Sequence, residues 1–370
     1  MKLITQLFFC LAFLSCCPGP EGAVNAAPTH GENTDPTREF EPWHSVSSAF
    51  CDRDSTLWFL TNHEGLYSYK DGQFVHFNEK SGLHTSVVRC MAQDRSGAYW
   101  LGTDKGLSRM QDGSFEHFAI PWDGNENLWG EGMNANLVLS LACDHKGKMW
   151  LGTWGNGAFC FDPLVRNSGG ELVFEAFLQE RGSTYGEEQS HRNVIQRMLC
   201  DSQGEMWFTS MSHDGIARFD GSEWTHFDML DGLSDDMAFC IYADSQDRIW
   251  CGMLGNRQGA LDCLVDGQII NLNAANGLCS SNITTIHEDR NGDFWLGSHR
   301  GELCVLHQDA EKAPSQWQAL PFTDEHGHTY EQISFVQDDT LGNIWFGGGG
   351  GQLFRWDGSS ITNFTQKQNP

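Results

Sequence analysis

Short apolar runs alternate with turns rich in glycine and aspartate along almost the whole chain of 370 residues. Between 85 and 118, apolar residues gather at 87–92, 98–103, 107–110 and 114–118, and each gap holds an aspartate followed within three residues by glycine. Short runs bounded by such turns are typical of β-strands, and no segment has the 3.6-residue period of a long amphipathic helix. The pattern predicts four short antiparallel strands here.

The same pattern recurs seven times, marked each time by a tryptophan that follows an aspartate by six residues. The aspartate–tryptophan pairs are Asp52 and Trp58, Asp94 and Trp100, Asp144 and Trp150, Asp201 and Trp207, Asp244 and Trp250, Asp289 and Trp295, and Asp339 and Trp345. Repeats of about 40–50 residues indicate a propeller or another repeat array. We predict an all-β fold, a seven-bladed β-propeller of four-stranded antiparallel blades, with the tryptophan as a wedge between blades and the aspartate as a turn residue.

The N-terminal segment has a different composition, from which we predict a signal peptide at 1–26 and a flexible tether at 27–38, followed by the propeller at 39–370. The apolar stretch 3–15 is too short to span a bilayer and suits the core of a signal peptide. Two ways of processing the signal peptide stay open: lipid attachment at Cys16 or Cys17, or simple secretory cleavage after Ala26. Both predict an extracytoplasmic protein, periplasmic or associated with the cell envelope. The segment 38–43 resembles an outer strand that latches the ring.

Charge and cysteine content exclude some classes of function. A formal net charge of −26 argues against nucleic-acid binding, which needs clustered Lys and Arg. None of the 13 cysteines forms a C-x-x-C pair, so neither a zinc ribbon nor a thioredoxin-like site is supported, and the disulfide pairing stays open. The alternating His326 and His328, beside Asp324 and Glu325, are a weak metal signal, and we predict no metal and no cofactor.

The repeated phrases resemble the two-component regulator propeller repeat. SGAYWLGTDKGLSRMQDGSFEHF (96–118) and NGDFWLGSHRGEL (291–303) carry the resemblance, which extends from about Trp43 to the C-terminus. In that family the propeller is the extracytoplasmic sensor portion of hybrid histidine kinases, and some members are similar to receptors for oligosaccharides. This sequence has one set of blades and no kinase, so the resemblance implies a free-standing or lipid-anchored sensor-type propeller.

Propellers bind ligands at one end of their central channel, on the face built by the turns between second and third strands and by the links between blades. Polar and aromatic residues vary there from blade to blade. The turns supply His63, Glu64, Lys105, Trp154, Asn156, His213, Arg257, His299 and Arg300, and the long links supply Trp129, His191 and Arg192. These residue types suit a small polar ligand, an oligosaccharide or a partner protein.

The sequence leaves three functions open. The first is an exported, non-catalytic binding module, and the second is a lyase or hydrolase that uses a His/acid pair at the same mouth. His213, His299 and Glu64 are the candidates for that pair. The third is a structural scaffold. The sequence contains no G-x-S-x-G elbow, P-loop or H-E-x-x-H motif, which favours the binding module over the enzyme.

Overall fold

Each copy of the tryptophan phrase folds into one four-stranded antiparallel sheet in the computed structural model, which describes residues 46–121, 137–178, 194–211, 215–254 and 260–365. Seven such sheets form, each from four consecutive strands, and we number these blades one to seven in chain order. The predicted seven-bladed β-propeller is confirmed. In the described ranges, helix is confined to 3-10 turns at Glu79–Ser81, Ala274–Asn276, Pro314–Gln316 and Gly349–Gly351. None of these described helices is long and apolar enough to cross a membrane.

The first and second strands of each blade form its inner half. The first, innermost strands are Val46–Cys51 (β1), Val88–Gln93 (β5), Val138–Cys143 (β9), Ile195–Cys200 (β13), Ala238–Ala243 (β17), Thr285–Glu288 (β21) and Ile333–Asp338 (β25). The second strands are Leu57–Thr61 (β2), Tyr99–Thr103 (β6), Met149–Thr153 (β10), Met206–Ser210 (β14), Ile249–Met253 (β18), Phe294–Gly297 (β22) and Ile344–Gly348 (β26). These second strands carry the repeated tryptophans, and apart from the half-buried Tyr99 of β6 they are buried throughout.

The third and fourth strands form the outer half of each blade. The third strands are Leu66–Lys70 (β3), Gly106–Gln111 (β7), Ala158–Arg166 (β11), Ile216–Phe219 (β15), Leu261–Val265 (β19), Cys304–His307 (β23) and Leu353–Trp356 (β27). The fourth strands are Gln73–Phe77 (β4), Ser114–Phe118 (β8), Leu172–Phe177 (β12), Trp224–Phe227 (β16), Gln268–Leu272 (β20), Gln318–Pro321 (β24) and Ile361–Asn363 (β28). The four strands predicted between 85 and 118 agree with β5 to β8 to within two residues.

The repeated aspartate holds the hairpin between the first and second strands. In blade two, one carboxylate oxygen of Asp94 accepts hydrogen bonds from the backbone N–H groups of Ser96 (2.8 Å) and Ala98 (3.1 Å). Its other oxygen accepts from the indole N–H of Trp100 at 2.8 Å. The indole bond recurs in all seven blades, at distances from 2.7 to 3.2 Å. The aspartate is thus the predicted turn residue and also fixes the wedge.

The repeated tryptophan packs against the following blade, as the wedge interpretation predicts. Trp100 is fully buried and lies in one apolar cluster with Leu141, Met149 and Phe161 of blade three. Its ring meets that of Phe161 edge-on, with the ring centres 4.9 Å apart. Burial of large aromatic side chains on this scale dominates the energetics of a protein core.

The ring closes because blade seven packs on blade one in the same way. Trp345 lies in a cluster with Phe59 and Tyr69, and its ring centre is 5.5 Å from that of Phe59 and 4.8 Å from that of Tyr69. The predicted latch at 38–43, the signal peptide at 1–26 with Cys16 and Cys17, and the tether at 27–38 lie outside the described residues.

The described cysteines divide into one disulfide and a set of thiols. Cys279, in the link that enters blade six, is bonded to Cys304 on the third strand of that blade. Burial raises the pKa of the Cys90 and Cys240 thiols to about 12, so both are uncharged at neutral pH. Among the described residues the disulfide therefore joins a link to its own blade, a pairing that the sequence did not indicate.

Candidate functional site

The turns between second and third strands lie on the same face as the links that enter the next blade. The backbone N–H of Gly65, in the turn of blade one, donates to the carbonyl of Ser86 just before β5 at 2.7 Å. Gly215 of blade four donates in the same way to Asp236 before β17, at 2.9 Å. Because each link leads into an innermost strand, these turns and the starts of the inner strands together surround one mouth of the central channel.

A β-bulge marks the start of the inner strand in six blades. The register with the second strand shifts by one residue there, and the extra residues are Ser47, Arg89, Leu139, Gln196, Phe239 and Ser334. A bulge leaves its extra residue outside the ladder and redirects the side chain. Arg89 accordingly donates to the side chain of Asn62 at the turn of blade one, at 2.9 Å.

Arg197 lies one position after the bulge of blade four and reaches two other blades. One nitrogen of its guanidinium donates to the carbonyls of Gln196 at 2.9 Å and of Leu139 in blade three at 3.3 Å. The guanidinium also lies 5.9 Å from the ring centre of Phe239 in blade five. Thr209 pairs with Arg197 across the hairpin, and its hydroxyl accepts from the Arg197 backbone N–H at 3.0 Å.

His299, in the turn of blade six, completes a group of side chains that we name the mouth cluster: Arg89, Arg197, Phe239 and His299. The His299 ring meets Phe239 edge-on, with the ring centres 5.9 Å apart. Burial, together with the positive charges of Arg197 and Arg300, lowers the pKa of His299 to about 4. The imidazole is therefore neutral at neutral pH, whereas Arg89 and Arg197 stay charged despite the loss of hydration.

Three segments of the chain match the family model described as Two component regulator propeller, at residues 82–105, 132–155 and 277–300. Each matched segment runs from an inner strand through the aspartate turn to the turn beyond the tryptophan. This chain carries regulator propeller repeats. The family predicted from the repeated phrases is thereby confirmed. No curated protein matches the chain in sequence.

Solved structures share the fold of this regulator propeller at low sequence identity. A streptogramin B lyase is 12% identical, with 88% of this chain and 97% of that chain covered and a TM-score of 0.63. The WD40 propeller domain of Doa1 is 14% identical, with coverages of 84% and 92% and a TM-score of 0.54. The extracellular domain of BT4673 from B. thetaiotaomicron is 19% identical; the match covers 91% of this chain but 42% of that chain, with a TM-score of 0.45. At these identities the likeness shows the propeller fold alone.

Of the predicted site residues of the regulator propeller, His299 lies in the mouth cluster and several others are held elsewhere. The carboxylate of Glu64 accepts from the hydroxyl of Tyr67 at 3.1 Å, and the ammonium of Lys105 donates to the carbonyl of His84 at 3.0 Å. Trp154 and Asn156 are buried, and the amide of Asn156 donates to the carbonyl of Pro121 at 3.0 Å.

Two further predicted residues are exposed, as Lys105 is, and the remaining five fall in parts of the chain that the structure does not describe. His63 and Arg300 lie on the surface of their turns. His213, Arg257, Trp129, His191 and Arg192 lie outside the described residues. Their assignment to a binding site stays a prediction.

Arg89, Arg197 and Phe239 were not among the predicted site residues, because all three lie on inner strands and the prediction considered only turns and links. Two signals could have found the arginines. Arg89 is a charged residue inside the apolar run at 87–92, and Thr209 stands where most copies have the glycine of W-[LF]-G-T. In the structure this larger residue pairs with Arg197 across the hairpin.

The candidate catalytic pair does not form between the residues that the structure describes. Glu64 and His299 share no hydrogen bond, since Glu64 accepts from Tyr67 and His299 packs on Phe239. The described ranges do contain histidine–carboxylate contacts. The contact between His287 and Asp338, at 3.2 Å, lies toward the opposite end of the inner strands and so away from the mouth.

No group of three or more His, Cys, Asp or Glu side chains in the described ranges could hold a metal ion. Asp324, which belongs to the weak metal signal of the sequence, accepts hydrogen bonds within its own turn instead. One of its oxygens accepts from the backbone N–H groups of His326 and His328, both at 2.9 Å, and the other contacts the His328 ring at 3.0 Å. The hydrogen bond from the His328 backbone N–H, together with the other hydrogen bonds that Asp324 accepts, keeps the pKa of Asp324 well below its usual range.

Proposed function

We propose that this chain is an exported, non-catalytic binding propeller that holds a small polar ligand at the mouth of its channel. The convergence of the mouth cluster carries the proposal: its members come from blades two, four, five and six. Side chains of blades that are not neighbours can approach each other only around the central axis. Concave sites with a few convergent polar groups are where proteins bind small molecules.

The chemistry of the mouth cluster favours binding over catalysis. A general base works best when its pKa lies near the operating pH, and the pKa of His299 is lowered to about 4. Among the residues that the structure describes, the groups that act on His299 are cations and an aromatic ring rather than a carboxylate that could orient it. A lyase or hydrolase acting at the same mouth is the alternative, and turnover of a bound compound would reveal it.

The regulator propeller repeats favour a sensor-type role, and a glycan fragment is the ligand that we propose within that role. Guanidinium and amide groups at the mouth can hydrogen-bond the hydroxyl groups of a sugar. A partner protein docking on the same face is the other occupant that the residues would suit, and binding of a small compound at the mouth would distinguish the two.

The disulfide between Cys279 and Cys304 supports the proposed extracytoplasmic location, because disulfides persist mainly in oxidising compartments. Within that location we propose a lipid anchor at Cys16 or Cys17. A variant with both residues changed to alanine should leave the membrane fraction when cells are fractionated. If its distribution matches that of the unchanged protein, the anchor is not there.

The test is a thermal-shift screen of the purified protein against neutral and acidic oligosaccharides of two to four sugar units. A ligand raises the melting midpoint by mass action, and the shift grows with ligand concentration. We expect at least one compound to do so, to remain chemically unchanged after incubation, and to lose its effect in Phe239→Ala. Leu320→Ala, at an exposed outer-strand position, is the matched control. A compound that is cleaved would show an enzyme, and a shift retained in Phe239→Ala would place the site elsewhere.

A further inference from the structure

The two arginines of the mouth cluster interrupt an otherwise uncharged ring of inner-strand positions. The bulge residues equivalent to Arg89 are Ser47, Leu139, Gln196, Phe239 and Ser334. The residues equivalent to Arg197 are Ser48, Cys90, Ser140, Cys240 and Phe335. The blade therefore folds without an arginine at either position, and the fold alone does not explain these two cations.

Neither arginine has a carboxylate partner in the part of the chain that the structure describes. The ion pairs formed by arginine and lysine there involve other residues. Arg89 uses one nitrogen on the amide oxygen of Asn62, while its Nε is buried without a hydrogen-bond partner. A buried charge without a paired counter-charge is costly, so proteins usually pair it or use it for function.

The arginines are also close enough to repel each other. Burial lowers the pKa of Arg89, Asp104 raises it, and the charge of Arg197 lowers it again. The charge of Arg197 also lowers the pKa of His299. The charged guanidinium groups of blades two and four thus lie near each other and near the neutral imidazole of blade six, in a protein whose net charge is −26. Any anion that enters must be held by these local donors, because the overall field repels it.

Gln196 adds a second kind of group at the same place. It is the bulge residue next to Arg197, its side chain is 3% exposed, and its amide oxygen has no hydrogen-bond partner. An acceptor buried in this way loses its hydration unless a donor reaches it, and a ligand hydroxyl would provide that donor. The site therefore offers cationic donors together with a neutral acceptor.

We propose that the channel mouth is an oxyanion site, in which the guanidinium groups of Arg89 and Arg197 hold a carboxylate or sulfate group of a small hydroxylated ligand. Guanidinium groups match the geometry of such oxyanions and donate to them in parallel pairs. The Gln196 acceptor fits a ligand that carries a hydroxyl near its acidic group, as acidic sugars do. This inference rests on the proposed binding function and adds the charge of the ligand to it.

Two experiments with selenate and sulfate test the oxyanion site without knowledge of the natural ligand. Crystals of the protein soaked in selenate should show an anomalous peak within hydrogen-bond distance of both guanidinium groups. In solution, sodium sulfate should raise the melting midpoint more in the unchanged protein than in Arg89→Gln or Arg197→Gln. Sodium chloride of equal ionic strength corrects for general salt effects, and Arg218→Gln, on the third strand of blade four, should respond like the unchanged protein.

Arg197→Lys keeps the protein testable if the glutamine variants do not fold, because it retains the charge and loses the planar donor pair. We expect its sulfate response to be reduced at least threefold. Absence of the selenate peak overturns the oxyanion site, and so does a sulfate response that is equal in all variants, which would leave an adventitious ion only. A neutral sugar that binds equally to the unchanged protein and to both glutamine variants would also overturn it, while the proposed binding function would stand.

Discussion

At the scale of single residues, the aspartate–tryptophan pair shows what sequence patterns reveal and what they hide. The repeat identified both residue types and their separate roles in turn and core. The hydrogen bond between the Asp94 carboxylate and the Trp100 indole was not predicted, because spacing along a hairpin does not show whether two side chains lie on the same side of it. The structure places them on the same side in every blade.

We expect Asp94→Ala to lower the free energy of unfolding by about 2–4 kcal/mol, because it leaves buried backbone and indole donors without an acceptor. Asp94→Asn keeps one acceptor oxygen for the turn but presents N–H groups to the indole or to the backbone. The decrease in the free energy of unfolding should be about half as large in Asp94→Asn as in Asp94→Ala. Urea unfolding followed by tryptophan fluorescence measures both variants. Equal stability of all three proteins would contradict a structural role for this carboxylate.

His299 should make stability depend on pH. Its folded pKa is about 4, whereas an unperturbed histidine has a pKa of about 6.5. Between these values the unfolded chain binds a proton that the folded chain does not, so the free energy of unfolding decreases as the pH falls from about 6.5 to 4. The loss should reach roughly 1–3 kcal/mol.

His299→Gln cannot bind that proton, and it should therefore lose less stability than the unchanged protein over the same pH range. Urea titrations at pH 7 and at pH 4.5 measure the difference, in which the common effect of the many carboxylates cancels. Parallel losses in the two proteins would show that His299 is hydrated and has an ordinary pKa.

At the scale of the blade, one turn geometry persists where the usual residue is absent. Gly97 adopts a φ of 89° in the aspartate turn of blade two, and the equivalent Ser55 of blade one and Asp247 of blade five have φ of 65° and 61°. A side chain in this left-handed region costs about 1 kcal/mol. The strand ladder and the aspartate therefore impose the turn even on residues that disfavour it.

Ser55→Gly should raise the free energy of unfolding by about 0.5–1 kcal/mol, since the replacement removes the left-handed strain. Gly97→Ser is the mirror experiment and should lower it by about 1 kcal/mol, because the nearest atom to a new Cβ there is 3.9 Å away and adds no steric clash. Chemical unfolding of both variants provides the comparison. Shifts of the same sign would show that side-chain contacts rather than backbone conformation decide the outcome.

Strand positions could be predicted from the sequence, but the bulges at the starts of the inner strands could not. The apolar run at 87–92 predicted β5 correctly, but a strand pattern does not show that Arg89 lies outside the ladder. A bulge inserts one residue into the register and changes where that side chain lies. The local signal is the charge of Arg89 inside the apolar run, and that charge does not show that the register shifts there.

At the scale of the whole molecule, the mouth cluster exists only because the ring closes. Arg89, Arg197 and His299 are separated by about a hundred residues each and belong to blades that do not touch along the chain. The sequence could predict which face carries the variable turns, since strand order decides that. It could not predict which side chains meet on the axis, because their approach depends on the curvature of the full ring.

In our proposal the ligand lies in the channel mouth, against the inner strands. Hydrogen–deuterium exchange, measured with and without a compound that raises the melting midpoint in the screen, locates it. We expect slower exchange at 88–90, 195–198, 238–240 and 298–301, with the outer strands unchanged. Protection confined to outer strands such as β8, β16 and β24 would contradict it and would place the ligand on the rim of the propeller.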